Sequence, residues 1–181
     1  MFYNTPSHYG AVSKLLHWSN AALMLPMIVI GYYMTTLSDE DPLYFRLLDL
    51  HQVVGVLIFC LFALKSVWRF VSPNPDLSLV SHGTELWLAR IVHAVLFLSM
   101  AVIPILGYFF ATAQGDGVPI YDLFEIPGVI ELHNAQADMV IDLHAVLAYT
   151  IAGVIMLHIY AALKHRFIDK PAVGNRMWFR T

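Results

Sequence analysis

Nine histidines stand in this 181-residue chain, and five of them fall inside or at the edges of long apolar stretches: His17, His51, His93, His144 and His158. Ionisable groups in such surroundings are costly and usually serve a purpose. Taken singly, each is equally well read as a hydrogen-bonded packing residue. Their joint placement says more. His144 and His158 are 14 residues apart. That is close to four helical turns, so both project from one face of one helix, about 21 Å apart along its axis. A single helix can therefore offer an imidazole to each of two stacked cofactors. Two histidines satisfy both axial positions of a haem iron, whereas structural zinc wants four ligands. No Cys, Asp or Glu stands beside them in a convincing metal-ligand pattern. Cys60 is the only cysteine, so neither an intrachain disulfide nor the C-x-x-C-H attachment of a c-type haem is available. Any haem must be held by coordination and packing.

The elements that would position these histidines are membrane helices. The chain is 59% apolar and only 13% charged, against about 25% charged in a typical soluble domain. Its charges gather in short stretches between long apolar runs. A bilayer core needs roughly 20 mostly apolar helical residues to cross it. Four segments qualify, at about 15–34, 50–70, 91–113 and 143–163. Lipid offers no partner for exposed amides, so these spans must be helical. The predicted fold is an all-α integral membrane four-helix bundle forming one domain over residues 1–181. Pro26 and Pro104 lie inside the first and third spans and predict packing kinks, which membrane helices tolerate. The first span is too long for a signal-peptide core, and no small-x-small site follows it. It is expected to be retained.

Lys and Arg set the orientation. One side would hold Lys14, Lys65, Arg69, Arg90, Lys164, Arg166, Lys170, Arg176 and Arg180, the other only Arg46. Both termini are thus expected in the cytoplasm. The two outward loops are acidic, with Asp39, Glu40, Asp41 and Asp49 in one and Asp116, Asp122, Glu125, Glu131 and Asp138 in the other. Within the long loop from 114 to 138, the stretch Tyr121 to Phe124 is expected to form a short interfacial helix. No basic domain or stripe outside the flanks suits nucleic acid.

With alternating helix directions, His17 and His158 fall at an inner level, His51 and His144 at an outer one. The predicted ligand couples are His17 with His158 and His51 with His144, each clasping one haem between helices. Gly55, one turn from His51, and Gly31, 14 residues after His17, would give a macrocycle room, or else serve helix packing. His93 is left open: it can replace His17 as a ligand, or bond a haem propionate or a quinone. Arg90, Lys65 and Lys14 can neutralise propionates, or simply set topology. His8, His82, His133 and His165 are expected to face solvent.

At these residues the chain resembles the bacterial cytochrome b561 family, which is related to the cytochrome b subunits of nickel–iron hydrogenases. The resemblance rests on Leu15-Leu16-His17-Trp18 in the first span and His51-Gln52-Val53-Val54-Gly55 in the second. It continues with His93 ahead of Ile103-Pro104-Ile105-Leu106-Gly107 in the third, and with Asp142-Leu143-His144 and Leu157-His158 in the fourth. It covers nearly the whole chain. It implies two b haems with His17, His51, His144 and His158 as axial ligands, and quinone as redox partner. Some members oxidise superoxide and reduce ubiquinone; others are the membrane arm of a larger oxidoreductase. Two readings follow. One is a superoxide:ubiquinone oxidoreductase, although an acidic outer surface should repel the superoxide anion. The other is an electron-transfer module whose acidic loops dock a basic periplasmic redox protein or a dehydrogenase. A haem-free transporter is disfavoured, because the chain lacks repeat symmetry and broken helices.

Overall fold

The computed structural model describes residues 1–79, 83–121, 123–169 and 175–178. His82, Asp122, Lys170 and Arg180 therefore lie outside the described residues. Four helices carry the architecture: α1 (Ala11–Met34), α2 (Pro42–Val71), α3 (Gly83–Ala111) and α4 (Asn134–Lys164). Each is long and apolar enough to cross a membrane. Helix α1 packs on α2, α2 on α3 and α3 on α4, while α1 and α4 close the ring along a narrow seam. The expected all-α membrane bundle is what the chain forms. Pro26 and Pro104 sit within continuous helices.

The helices start earlier than hydropathy predicts, at residues 11, 42, 83 and 134 rather than 15, 50, 91 and 143. Hydropathy marks the lipid-soluble part of a helix, while capping chemistry marks its end. The Asp41 carboxylate accepts from the Leu43 N–H at 2.8 Å, with Pro42 at the first helical position. His133 and Gln136 form a reciprocal capping box that starts α4. At its far end α3 stops at Ala111, short of the predicted 113, where the Thr112 hydroxyl donates back to the Tyr108 carbonyl.

Outward faces are apolar, as at Val29, Leu57, Val102 and Met156. Several polar side chains within the spans donate to carbonyls of their own helix, although the Asn20 Oδ1 is buried without a partner. Asn20 donates to the Leu16 carbonyl, Ser66 to Phe62, Ser99 to Leu96 and Thr150 to Val146.

One end of the bundle carries a β-hairpin, β1 (Val118–Ile120) paired antiparallel with β2 (Phe124–Ile126). This corrects the short helix expected at Tyr121 to Phe124. Val118, Ile120, Phe124 and Ile126 favour strands. A lone helical turn between Pro119 and Pro127 would form one or two hydrogen bonds, too few to offset its nucleation. Tyr121, at φ 48°, opens the turn in left-handed backbone. The Tyr108 hydroxyl ties the loop down by donating to the Pro127 carbonyl at 2.6 Å.

The opposite end, the terminal end, gathers residues 1–10, 72–79 and 175–178. The Asn4 N–H donates to the Ser72 hydroxyl at 2.8 Å, and the Asp76 N–H to the Pro6 carbonyl at 3.0 Å. Gly10 admits the returning N-terminal strand, since a Cβ there would collide with the Phe2 and Tyr3 backbone. Arg176, only 5% exposed, donates from Nε to the Ser7 carbonyl and from both terminal nitrogens to the Asp76 carbonyl.

Candidate functional site: two histidine couples

All five span histidines face the interior of the bundle closely enough to meet other rings. Near the hairpin end, His51 of α2 and His144 of α4 stand with ring centroids 6.0 Å apart and planes at 61°. Near the terminal end, His17 of α1 and His158 of α4 stand 6.4 Å apart at 69°. An imidazole nitrogen bonds a transition metal at roughly 2.0–2.1 Å and lies about 1.1 Å from its own ring centroid. Two imidazoles on opposite sides of one metal therefore hold their centroids roughly 6.2–6.4 Å apart. Both couples lie within a few tenths of an ångström of that separation.

Backbone features set the rings in place. The Nδ1 of His144 lies 3.0 Å from the Ile103 carbonyl. A carbonyl only accepts, so Nδ1 carries the proton and Nε2 is left with its lone pair, as a metal ligand requires. Gly107 makes this approach possible: a Cβ there would meet His144 Cε1 at 3.1 Å and Nδ1 at 3.3 Å. Gly31 does the same for the second ring, where a Cβ would meet His51 Cε1 at 3.3 Å. The space expected at Gly31 for a macrocycle is thus taken up by an imidazole. Gly55 has nothing within 4 Å of its missing Cβ, so the room expected there is present. The Nδ1 of His51 is buried without a hydrogen-bond partner.

His93 is the additional ring at the terminal end, 5.5 Å from His158 at 74°. That is shorter than two opposed metal bonds allow. His93 is also more exposed than the other four, which are half-buried. Among the described residues, no group of three or more His, Cys, Asp or Glu side chains is arranged to hold a metal ion. His17, His93 and His158 therefore do not form a three-ligand site of the zinc kind. Pairs fit a haem, whose macrocycle supplies the other four donors. The donor set, the opposed rings and the free Nε2 of His144 all suit that group.

Of the cations expected near this end, Lys14 has another role. It is 8% exposed and donates to the Trp178 carbonyl at 2.6 Å. Trp18, whose ring lies against His17, donates to the Met177 carbonyl at 2.9 Å. Residues 175–178 thus cover the His17 end of the bundle. The guanidinium of Arg166 lies 4.0 Å over the Trp178 ring. Arg90 is exposed. His8 and His133 face solvent as expected, but His165 is half-buried at the end of α4. Sequence reasoning missed the residue 175–178 cover and the Ile103 acceptor. Both act through main-chain carbonyls, which no side-chain pattern announces.

Residues 8–180 match the family described as prokaryotic cytochrome b561. "Cytochrome b561 homolog 2" of Escherichia coli (strain K12) is 36% identical over 177 residues, which is 97% of this chain and 94% of the relative. "Probable superoxide oxidase CybB" of Yersinia pestis is 24% identical over 171 residues, covering 93% and 94%.

Proposed function

The chain belongs to the prokaryotic cytochrome b561 family, and from that membership we propose that it is a di-haem b-type cytochrome that exchanges electrons with the quinone pool. Family membership and the four apolar helices make it a multi-pass electron-transfer protein of a bacterial inner membrane. The observation that carries the finer reading is the pair of imidazole couples at 6.0 and 6.4 Å. His51 with His144 would hold one haem, His17 with His158 the other. Lys and Arg gather at the terminal end, so that end is cytoplasmic and the hairpin end periplasmic.

Haem, when bound, supplies one-electron exchange between ferric and ferrous iron. His51 with His144 and His17 with His158 would each hold the group through two imidazoles, a donor set that suits electron transfer rather than oxygen binding. The protein's part is to hold the couples rigid and dry. The Ile103 carbonyl fixes the His144 ring, the glycines seat two rings, and residues 175–178 cover His17. In the superoxide reading, two superoxide anions each lose one electron to become dioxygen. Ubiquinone takes both electrons and two protons to become ubiquinol. The printed name of the Yersinia relative supports this donor.

A second reading has its own observation. The hairpin end exposes Asp39, Glu40, Asp116, Glu125, Glu131 and Asp138. Beside them Tyr121, Leu123 and Phe124 are exposed. An acidic surface with apolar contacts suits a basic soluble redox protein better than a small anion.

The test is purified protein with ubiquinone under a superoxide flux, followed by haem absorbance. Haem reduction that outpaces spontaneous dismutation supports the superoxide reading. Reduction only by a basic carrier, lost steeply with rising salt, supports the docking reading. A preparation with no Soret band removes both.

A further inference from the structure

Each of the four helices carries two interior positions 14 residues apart: His17 and Gly31, His51 and Lys65, His93 and Gly107, His144 and His158. Fourteen residues are close to four turns, so each pair shares one helix face. Because the helices alternate in direction, the eight positions sort into two rings of four. Gly31, His51, Gly107 and His144 form the ring at the hairpin end. His17, Lys65, His93 and His158 form the ring at the terminal end. Contacts bear out the sorting. Gly31 abuts His51 and Gly107 abuts His144, while His93 meets His158 and His17 meets His158. By register, Lys65 stands on α2 at the level of His17, His93 and His158, about four turns from His51 on the same helix face.

The two rings are built alike but filled differently. At the hairpin end the two positions not used by a ligand couple are glycines. At the terminal end they are Lys65 and His93. Among the described residues, no hydrogen bond or ion pair holds the Lys65 ammonium. Its neighbour Arg69 is another cation, with its guanidinium 5.4 Å over the Phe97 ring. The spans contain no carboxylate at this depth; Glu85 stands at the start of α3, two turns before His93. An unneutralised cation in a low-dielectric interior favours the less positive state of a nearby metal centre.

We propose that Lys65 and His93, standing where the other ring has glycines, make the terminal-end centre the higher-potential haem, so that electrons run from the hairpin end toward the terminal end. This rests on the reading that the two couples hold haems. Lys65 supplies the charge. His93 flanks His158 and fills the position without ligating the iron. With haems held by the two couples, single electrons would pass from the group at His51 and His144 to the group at His17 and His158, supplied by a reduced donor outside and taken up by quinone as the oxidant.

Spectroelectrochemical titration of the whole protein in detergent tests this. His51→Ala retains the terminal-end haem and His158→Ala the hairpin-end one, which assigns the two midpoints. The haem left in His51→Ala should titrate higher; the opposite order overturns the proposal. Lys65→Met should lower the terminal-end midpoint so that its ferrous-to-ferric ratio at fixed potential falls at least tenfold, about 59 mV for one electron. The hairpin-end midpoint should stay put, and Lys65→Arg should restore the wild-type value. No shift, or an equal shift of both, overturns it. If Lys65→Met does not bind haem, the ordering of the two single-haem variants still decides. His93→Gln should keep two six-coordinate haems; loss of one makes His93 a ligand and overturns its assigned place. Wild-type protein without haem defeats the underlying reading instead.

Discussion

The imidazole of His144 on α4 donates from Nδ1 to the carbonyl of Ile103 on α3, 3.0 Å away. In an unbroken helix that carbonyl serves the N–H four residues on, which here belongs to Gly107. The residue that shares the acceptor is therefore also the residue whose missing side chain lets the ring in. Orientation of one ring thus depends on two neighbouring positions of a different helix.

Gly107→Ala places a Cβ 3.1 Å from the His144 ring, closer than most real contacts. The ring must shift and its bond to Ile103 lengthen, a crowding cost of about 1–3 kcal/mol. Gly107→Val should abolish the hairpin-end centre. Pyridine haemochrome analysis is expected to fall from two haems per chain toward one. Gly31→Ala, with its nearest contact at 3.3 Å, should be milder.

His51→Ala and His144→Ala should each remove the same haem, and His17→Ala and His158→Ala the other. The double variants within a couple should lose no more than the singles. Reduced-minus-oxidised spectra with haem quantification check this pattern. Loss of both haems from any one single variant would contradict two separate couples.

Arg176→Ala leaves the Ser7 and Asp76 carbonyls without their buried donor, which costs about 1–3 kcal/mol. Thermal unfolding of the detergent-solubilised protein should shift to lower temperature. The His17–His158 haem should become more accessible to an aqueous reductant, with the other unchanged. Stopped-flow dithionite reduction separates the two.

Asp76 links this end to pH. The hydroxyl and main-chain N–H of Ser78 both donate to its carboxylate and hold its pKa below the ordinary value. A folded-state pKa that is depressed stabilises the fold above the unfolded value, near 3.9. That contribution is lost as pH falls through the lower folded value. Thermal unfolding should therefore show a small acid-side loss, in that window, that Asp76→Asn lacks.

Much of this was legible in the sequence, for reasons that are local. Hydropathy located four spans because a helix in lipid must be apolar around most of its circumference. The 14-residue interval between His144 and His158 needed only helix geometry. What stayed hidden depends on chain returning to chain. Arg176 reads as one more positive-inside charge, yet it is buried and bonds carbonyls 100 and 169 residues away in sequence. Lys14 reads the same way and in fact holds the Trp178 carbonyl. The hairpin around Tyr121 is hidden in the sequence because the short stretch between Pro119 and Pro127 carries too little periodicity to separate turn from helix.

The Arg176 contacts have a further consequence for biogenesis. Four apolar helices can enter the bilayer one after another as the ribosome supplies them, each self-sufficient in its backbone bonding. The clasp that joins Ser7, Asp76 and Arg176 can close only after residue 176 has been made, later than all four helices. The N-terminal segment must wait for residues 176–178, so the side of the bundle at His17 is covered only after every helix is already in the bilayer.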